Sequence, residues 1–262
     1  MSRIGETFAR LRRANKRALI PFIVAGDPSL DVTRELLIEI ARAGADLIEL
    51  GIPFSDPTAD GPVIQRASLR ALRNDDGVAE FLEVVSNVRR KIDVPIVLFS
   101  YFNPLLQFGI EQLGEAARAA GVDGVLVTDL VPEEAAQVVA SFDKNELDSI
   151  FLVAPTTSDD RLQTIAARAR GFIYAVSRAG VTGARSELSA EAKQLVARVR
   201  RQSRLPVAVG FGISTAEQVG EVWEYADAAV VGSALVAEIE NFADAPDLVE
   251  RAGDFVRSLL RQ

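Results

Sequence analysis

Eight short apolar, β-branched runs recur along the chain, and between them lie segments whose apolar residues fall at helical spacing. The runs are Ala18 to Val24, Leu47 to Leu50, Pro95 to Phe99, Gly124 to Val127, Ser149 to Val153, Phe172 to Val176, Pro206 to Val209 and Ala228 to Val231. Segments such as Thr33 to Ala43, Val78 to Arg90, Ile110 to Ala120, Glu133 to Phe142, Arg161 to Arg170 and Ala190 to Arg201 read as the helices between them. Near-continuous apolar strands joined by helical crossovers imply a parallel sheet covered on both faces. Eight such units close into an α/β fold of the (β/α)8 TIM-barrel type; a doubly wound open sheet is the alternative. The 262 residues suit one barrel, and no linker or composition break divides them, so a single domain over 1–262 is expected. Ala-Gly-Ala-Asp at 43–46 and Gly-Val-Asp-Gly at 121–124 repeat one pattern, a helix ended at Gly and turned into a strand.

Two parts exceed the minimal repeat. Ile4 to Ala14 forms an extra N-terminal amphipathic helix that either plugs the bottom of the barrel or lies on its surface. Pro62 to Leu72 reads as a short helix inserted after strand two, and connections lengthened in this way tend to be functional.

The chain has no His and no Cys, so acid/base chemistry near neutral pH falls to carboxylates, Tyr, Lys or bound water. Disulfides, thiolate metal sites and a Cys nucleophile are excluded by the same count. The net charge of −8 comes from 29 basic and 37 acidic residues spread without a basic tract, which argues against a nucleic-acid surface. No apolar run is long enough to span a bilayer and the N-terminus lacks a signal-peptide core, so a soluble, cytoplasmic protein is expected. The four lysines, Lys16, Lys91, Lys144 and Lys193, all lie on helices or ahead of strands, which disfavours a Schiff-base aldolase.

In a barrel the chemistry sits where strands end. Glu49 closes the second apolar run, and Asp60 follows in a Gly/Pro-rich loop. Asp60 has a structural alternative, capping the helix that opens at Pro62. Glu49, between Ile48 and Leu50 on a buried strand, has none as ready; burial raises its pKa toward neutrality, where a carboxyl can both give and take protons. Asp27, Asp56 and Asp129 lie in turns where Asp commonly bonds local backbone, and read as mainly structural. The later strand ends are rich in glycine: Ser177 to Arg185, Gly210 to Ser214, and Gly232-Ser233. Such loops let backbone N–H groups approach a phosphate, with helices opening at Ser214 and Ser233 aimed at the same spot and Arg178 assisting from its loop.

These motifs, in this order, resemble the α subunit of tryptophan synthase along essentially the full length. IELGIPFSDPTADGPVIQ at 48–65 is similar to that family's signature segment, joined by PFIVAGDPS at 21–29, YFNP at 101–104, YAVSRAGVTGAR at 174–185, GFGIS at 210–214 and VGSALV at 231–236. The resemblance implies a (β/α)8 barrel that cleaves indole-3-glycerol phosphate to indole and glyceraldehyde 3-phosphate, with no cofactor in this chain. It makes Glu49 the main acid/base group, Asp60 the stabiliser of positive charge on the indole nitrogen, and Tyr174 an active-site tyrosine. Phe22 and Phe99 would flank the indole, Tyr101, Asp129 and Thr182 would face the substrate, and Arg178 would take part in loop closure. The phosphate would rest on Gly183, Phe211, Gly212, Gly232 and Ser233.

The resemblance also implies a partner, a β subunit carrying pyridoxal phosphate and receiving indole through a tunnel, in an αββα heterotetramer. The loops around Pro53 to Asp60 and Asn103-Pro104 would meet it. Thr58, where Leu is usual, and Val131, where Pro is usual, depart from the commonest family pattern. Two other readings stand beside this one: an autonomous lyase that needs no partner, and a catalytically weak subunit that serves to activate β.

Overall fold

The computed structural model describes residues 2–176, 185–210 and 212–261, with the side chains of 185–189 outside the description. Eight parallel strands close into a barrel in sequence order, β1 (Ala18–Val24), β2 (Ile48–Gly51), β3 (Ile96–Ser100), β4 (Gly124–Val127), β5 (Asp148–Val153), β6 (Ile173–Val176), β7 (Val207–Gly210) and β8 (Ala228–Val231). β1 pairs with both β2 and β8, so the sheet has no free edge. The barrel expected from the alternating pattern is borne out, and the strand bounds lie within one residue of the apolar runs. The alternation of side chains across each strand divides the core in two. Leu19, Ile23, Ile48, Leu50, Ile96 and Leu98 face the surrounding helices, whereas Ile20, Leu47, Val97, Leu126, Ile150 and Ala208 fill the interior.

The N-terminal helix α1 (Arg3–Arg13) plugs the barrel floor. Ile4, Phe8 and Leu11, spaced by four and three residues on one helix face, pack into the interior cluster, and the Phe8 and Phe172 ring centroids lie 5.9 Å apart. Ser2 caps the helix by accepting from Gly5 N–H and also bonds the Asp148 carboxylate, while Arg3 pairs with Asp123 at 2.5 Å.

The repeated Gly-Asp pattern has a structural cause at this floor. Asp46 accepts the Leu19 N–H at 3.1 Å, Asp123 the Ile96 N–H at 2.8 Å and Asp227 the Val207 N–H at 3.0 Å, each carboxylate binding the backbone one strand back. Those N–H groups lie on the first or second residue of their strands, where unpaired backbone would be costly to bury. Gly121 adopts φ +91°, and a Cβ there would stand 2.7 Å from Arg89 Cγ, the side chain that bonds Gly121 O, Val94 O and Asp123.

Twelve α-helices are present among the described residues. After α2 (Leu30–Arg42), the expected inserted helix appears as α3 (Pro62–Ala71), continued by a 3₁₀ turn over Leu72–Asn74 and followed by α4 (Val78–Val88). A further helix, α5 (Phe102–Phe108), stands where Asn103-Pro104 predicts a loop. Asn-Pro after a strand reads as a turn, but Pro104 falls in the first helical turn, where its missing N–H has no intrahelical acceptor to lose. The remaining helices are α6 (Ile110–Ala120), α7 (Ala136–Lys144), α8 (Asp159–Arg168), α9 (Arg185–Gln202), α10 (Ala216–Trp223), α11 (Ser233–Asn241) and α12 (Leu248–Leu259). None of the described helices is long and apolar enough to cross a membrane.

Candidate active site

Glu49 sits on β2 between Phe22 of β1 and Val97 of β3 in the strand register, wholly buried. Neither carboxyl oxygen has a hydrogen-bond partner among the described residues. Taking a charge out of water without compensation favours the neutral acid, and burial raises this carboxyl's pKa to about 8. At neutral pH it therefore holds its proton.

Aromatic rings cover the barrel mouth above it. Phe22 and Phe99 meet edge to face with centroids 5.3 Å apart, and Phe99 meets Tyr174 at 6.5 Å. Tyr174 stands on β6, four strands from β2 and so across the barrel, and its hydroxyl is pushed well above the usual tyrosine range, first by burial and then by the Glu49 charge. Two strand-end glycines, Gly51 and Gly210, make room for these rings. A Cβ on Gly51 would lie 2.5 Å from Phe22 Cζ, and one on Gly210 would lie 2.7 Å from Tyr174 Cζ. Their signal for this role in the sequence is only that each ends a strand. Val24, Ala67, Ala71 and Val236 complete this apolar wall from β1, α3 and α11.

Asp60 lies in the β2–α3 loop, and its structural alternative fails: α3 is capped at Gly61 with no side-chain bond, so the Asp60 carboxyl does not serve as a cap. The loop is held from two sides. Tyr101, buried after β3, accepts the Ala59 N–H at 2.9 Å through its hydroxyl, and Gln65 Nε2 donates to the Asp60 carbonyl at 3.0 Å. Burial raises the Asp60 pKa to about 6, with the Tyr101 hydroxyl pulling the other way. The two carboxyls thus titrate on either side of neutrality, the pattern by which one site assigns acid and base roles.

The structural readings of the other aspartates agree with their placement. Asp27 is clasped by Arg70, and Asp56 takes a hydrogen bond from Ser55 Oγ. Asp129 is exposed and accepts the Phe102 N–H at 2.7 Å, opening α5.

Of the anion-binding loops, Gly212, Gly232 and Ser233 are described, whereas Arg178, Thr182, Gly183 and Phe211 lie outside the described residues. Gly212 adopts φ +66°, which a side chain would strain. The helix expected to open at Ser214 opens instead at Ala216, because Thr215 and Gln218 form a reciprocal cap in which Gln218 Oε1 accepts the N–H groups of Ser214 and Thr215. Those donors are already engaged. α11 differs: it opens at Ser233 with Gly232 as its cap residue and no side-chain bond, so its first N–H groups remain available at the positive end of the helix dipole.

A family model described as tryptophan synthase alpha chain matches residues 8–259. The chain belongs to the tryptophan synthase alpha chain family. A tryptophan synthase alpha chain from Citrifermentans bemidjiense is 50% identical over 259 residues, covering 99% of this chain and 97% of the relative. Another from Solibacter usitatus is 48% identical over 261 residues, covering 100% and 98%. Among solved structures, tryptophan synthase subunit alpha from Legionella pneumophila superposes with a TM-score of 0.92 at 40% identity, covering 99% of this chain and 97% of that one. The aminoacrylate-bound form of tryptophan synthase from M. tuberculosis gives 0.89 at 34% identity, covering 99% and 98%. The resemblance carried by the sequence motifs is borne out at the level of family and barrel.

Proposed function

We propose that Glu49, Asp60 and Tyr174 are the groups with which this chain performs the reaction of its family, cleavage of indole-3-glycerol phosphate to indole and glyceraldehyde 3-phosphate in tryptophan biosynthesis. The observation that carries the assignment is the Glu49 carboxyl, fully buried, unpartnered among the described residues and protonated to about pH 8. In the proposed cycle it gives its proton to indole C3, and Asp60, ionised above about pH 6, stabilises the positive charge that then rests on the ring nitrogen. The Glu49 carboxylate next takes the proton of the glycerol hydroxyl beside the ring. A carbonyl forms there, the bond to C3 breaks, and its electron pair returns to the ring, restoring neutral indole. Glu49 ends as it began, protonated, so the cycle needs no cofactor in this chain.

Phe22 and Phe99 flank the indole, Tyr174 walls the far side of the barrel, and Tyr101 serves the substrate through the Asp60 loop it holds. Asp129 meets substrate only at the rim. Gly212, Gly232 and Ser233 receive the phosphate, with Gly183 and Phe211, and Thr182 and Arg178 belong to the loop that closes over the site. Closure of this kind excludes water from the protonated intermediate. The unit that does this is the single barrel 1–262, cytoplasmic, joined in an αββα heterotetramer to a β subunit that holds pyridoxal phosphate and consumes the indole.

The test is indole release from indole-3-glycerol phosphate by the purified chain, alone and with a tryptophan synthase β subunit. Slow release alone that rises at least tenfold with β supports the two-subunit enzyme. Equal, fast release in both cases favours an autonomous lyase, and none in either refutes catalysis.

A further inference from the structure

α3 carries two adjacent stripes of side chains with different work. Val63, Ile64, Ala67 and Ala71 face Phe22 and Val24 at the barrel mouth. Arg66 and Arg70, four residues apart, meet ionic partners on other elements. Arg70 holds Asp27 in a two-pronged bond, Nε to Oδ1 at 2.9 Å and Nη2 to Oδ2 at 2.8 Å, and its third nitrogen reaches Glu240 Oε1 at 2.5 Å. Arg66 grips the same Glu240 at 2.8 and 2.6 Å. Glu240 lies near the end of α11, the helix whose uncapped N-terminus starts at Ser233. Asp27 follows β1, the strand that carries Phe22. At the other end of α3, Gln65 bonds the Asp60 carbonyl.

One helix therefore touches the acid loop, the aromatic wall and the anion-binding helix, and Arg70 is where its ionic ties converge. The Asp27 carboxylate is almost wholly buried and the guanidinium 22% exposed, so the fork is shielded from the screening that weakens surface pairs. We propose that Arg70 is a positioning residue that fixes the spacing between the Asp60 loop and the phosphate-binding end of α11. The inference rests on the functional reading above. A substrate held at both ends feels that spacing; one lacking its phosphate does not.

The test compares kcat/KM for indole-3-glycerol phosphate and for indole-3-glycerol in wild type, Arg70→Met, Arg70→Lys, Glu240→Gln and the Arg70→Met/Glu240→Gln pair. The expected result is that the ratio of the two values, phosphorylated over unphosphorylated, falls about tenfold in each single variant, since small misplacements of a bound substrate are costly. The double variant falls no further than Arg70→Met, and Lys fails to restore the ratio because an ammonium cannot fork to Asp27 while reaching Glu240. Equal losses on both substrates would reduce Arg70 to general stability and overturn the inference, as would an unchanged ratio. Wild-type protein inactive on both substrates would instead refute the functional reading, which keeps the two failures distinct.

Discussion

Relative to wild type, Glu49→Gln gains stability as pH rises, by an amount that reads out the buried carboxyl directly. The native carboxyl keeps its proton to about pH 8, whereas an unperturbed Glu loses it at 4.5. Between those values the folded state binds more protons than the unfolded state, so the contribution of Glu49 to stability falls as pH rises and levels off above about 8. At about 1.36 kcal/mol per pH unit, a gap of about 3.5 pH units amounts to about 5 kcal/mol. Gln carries no proton equilibrium, and the cost of burying its amide is the same at every pH. Urea unfolding of wild type and Glu49→Gln from pH 5 to pH 9 should show the difference in unfolding free energy drifting toward the variant by about 1 kcal/mol per pH unit up to pH 8, then holding steady. A difference that stays constant over the whole range would mean that Glu49 is charged in the folded protein, and the proton-shuttle argument would fail with it.

Cleavage by the wild type should show a bell-shaped kcat/KM profile, rising through about pH 6 as Asp60 ionises and falling above about pH 8 as Glu49 loses its proton. Tyr101→Phe removes the hydroxyl that favours the ionised Asp60, so the acid limb moves to higher pH; an unmoved limb would detach Asp60 from the profile. Ser233→Asp adds a negative charge at the uncapped start of α11 and should weaken binding of glycerol 3-phosphate at least tenfold by calorimetry, with unchanged affinity removing the anion site from that helix. Asp123→Ala strips Arg89, Arg3 and the Ile96 N–H of their shared acceptor and should cost about 3–5 kcal/mol of unfolding free energy, whereas a loss below about 1 kcal/mol would show that the floor does not depend on it.

The barrel was legible because its physics is periodic: a strand buried on both faces has to be apolar throughout, as in Ala18 to Val24, and a helix covering it has to be apolar on one stripe. Glu49 was legible for the opposite reason, a carboxylate placed where periodicity demands an apolar residue. The repeated Gly-Asp pattern was visible as a pattern, but its meaning was not, since the partner of Asp123 is a backbone N–H 27 residues away. The helix over Phe102–Phe108 was hidden by Asn103-Pro104, whose turn propensity gives way to a cap supplied by Asp129 from the next unit. Ser214 looked like a helix start, and the true start at Ala216 depends on a side chain further along, Gln218, folding back. Gly210 reads in sequence as part of an anion loop and Gly51 only as part of a motif; that they make room for the rings of Tyr174 and Phe22 is hidden because those rings come from neighbouring strands. Arg70 gave no signal at all: its partners Asp27 and Glu240 lie 43 residues before it and 170 after it.

The most direct test of the central claim measures, in one preparation of Glu49→Gln, both indole release from indole-3-glycerol phosphate and binding of glycerol 3-phosphate. The account predicts that release falls below detection while the dissociation constant stays within about twofold of wild type, because the amide keeps the shape of the site and loses only the transferable proton. Release at more than about a tenth of the wild-type rate would contradict it and move the acid/base role to another residue.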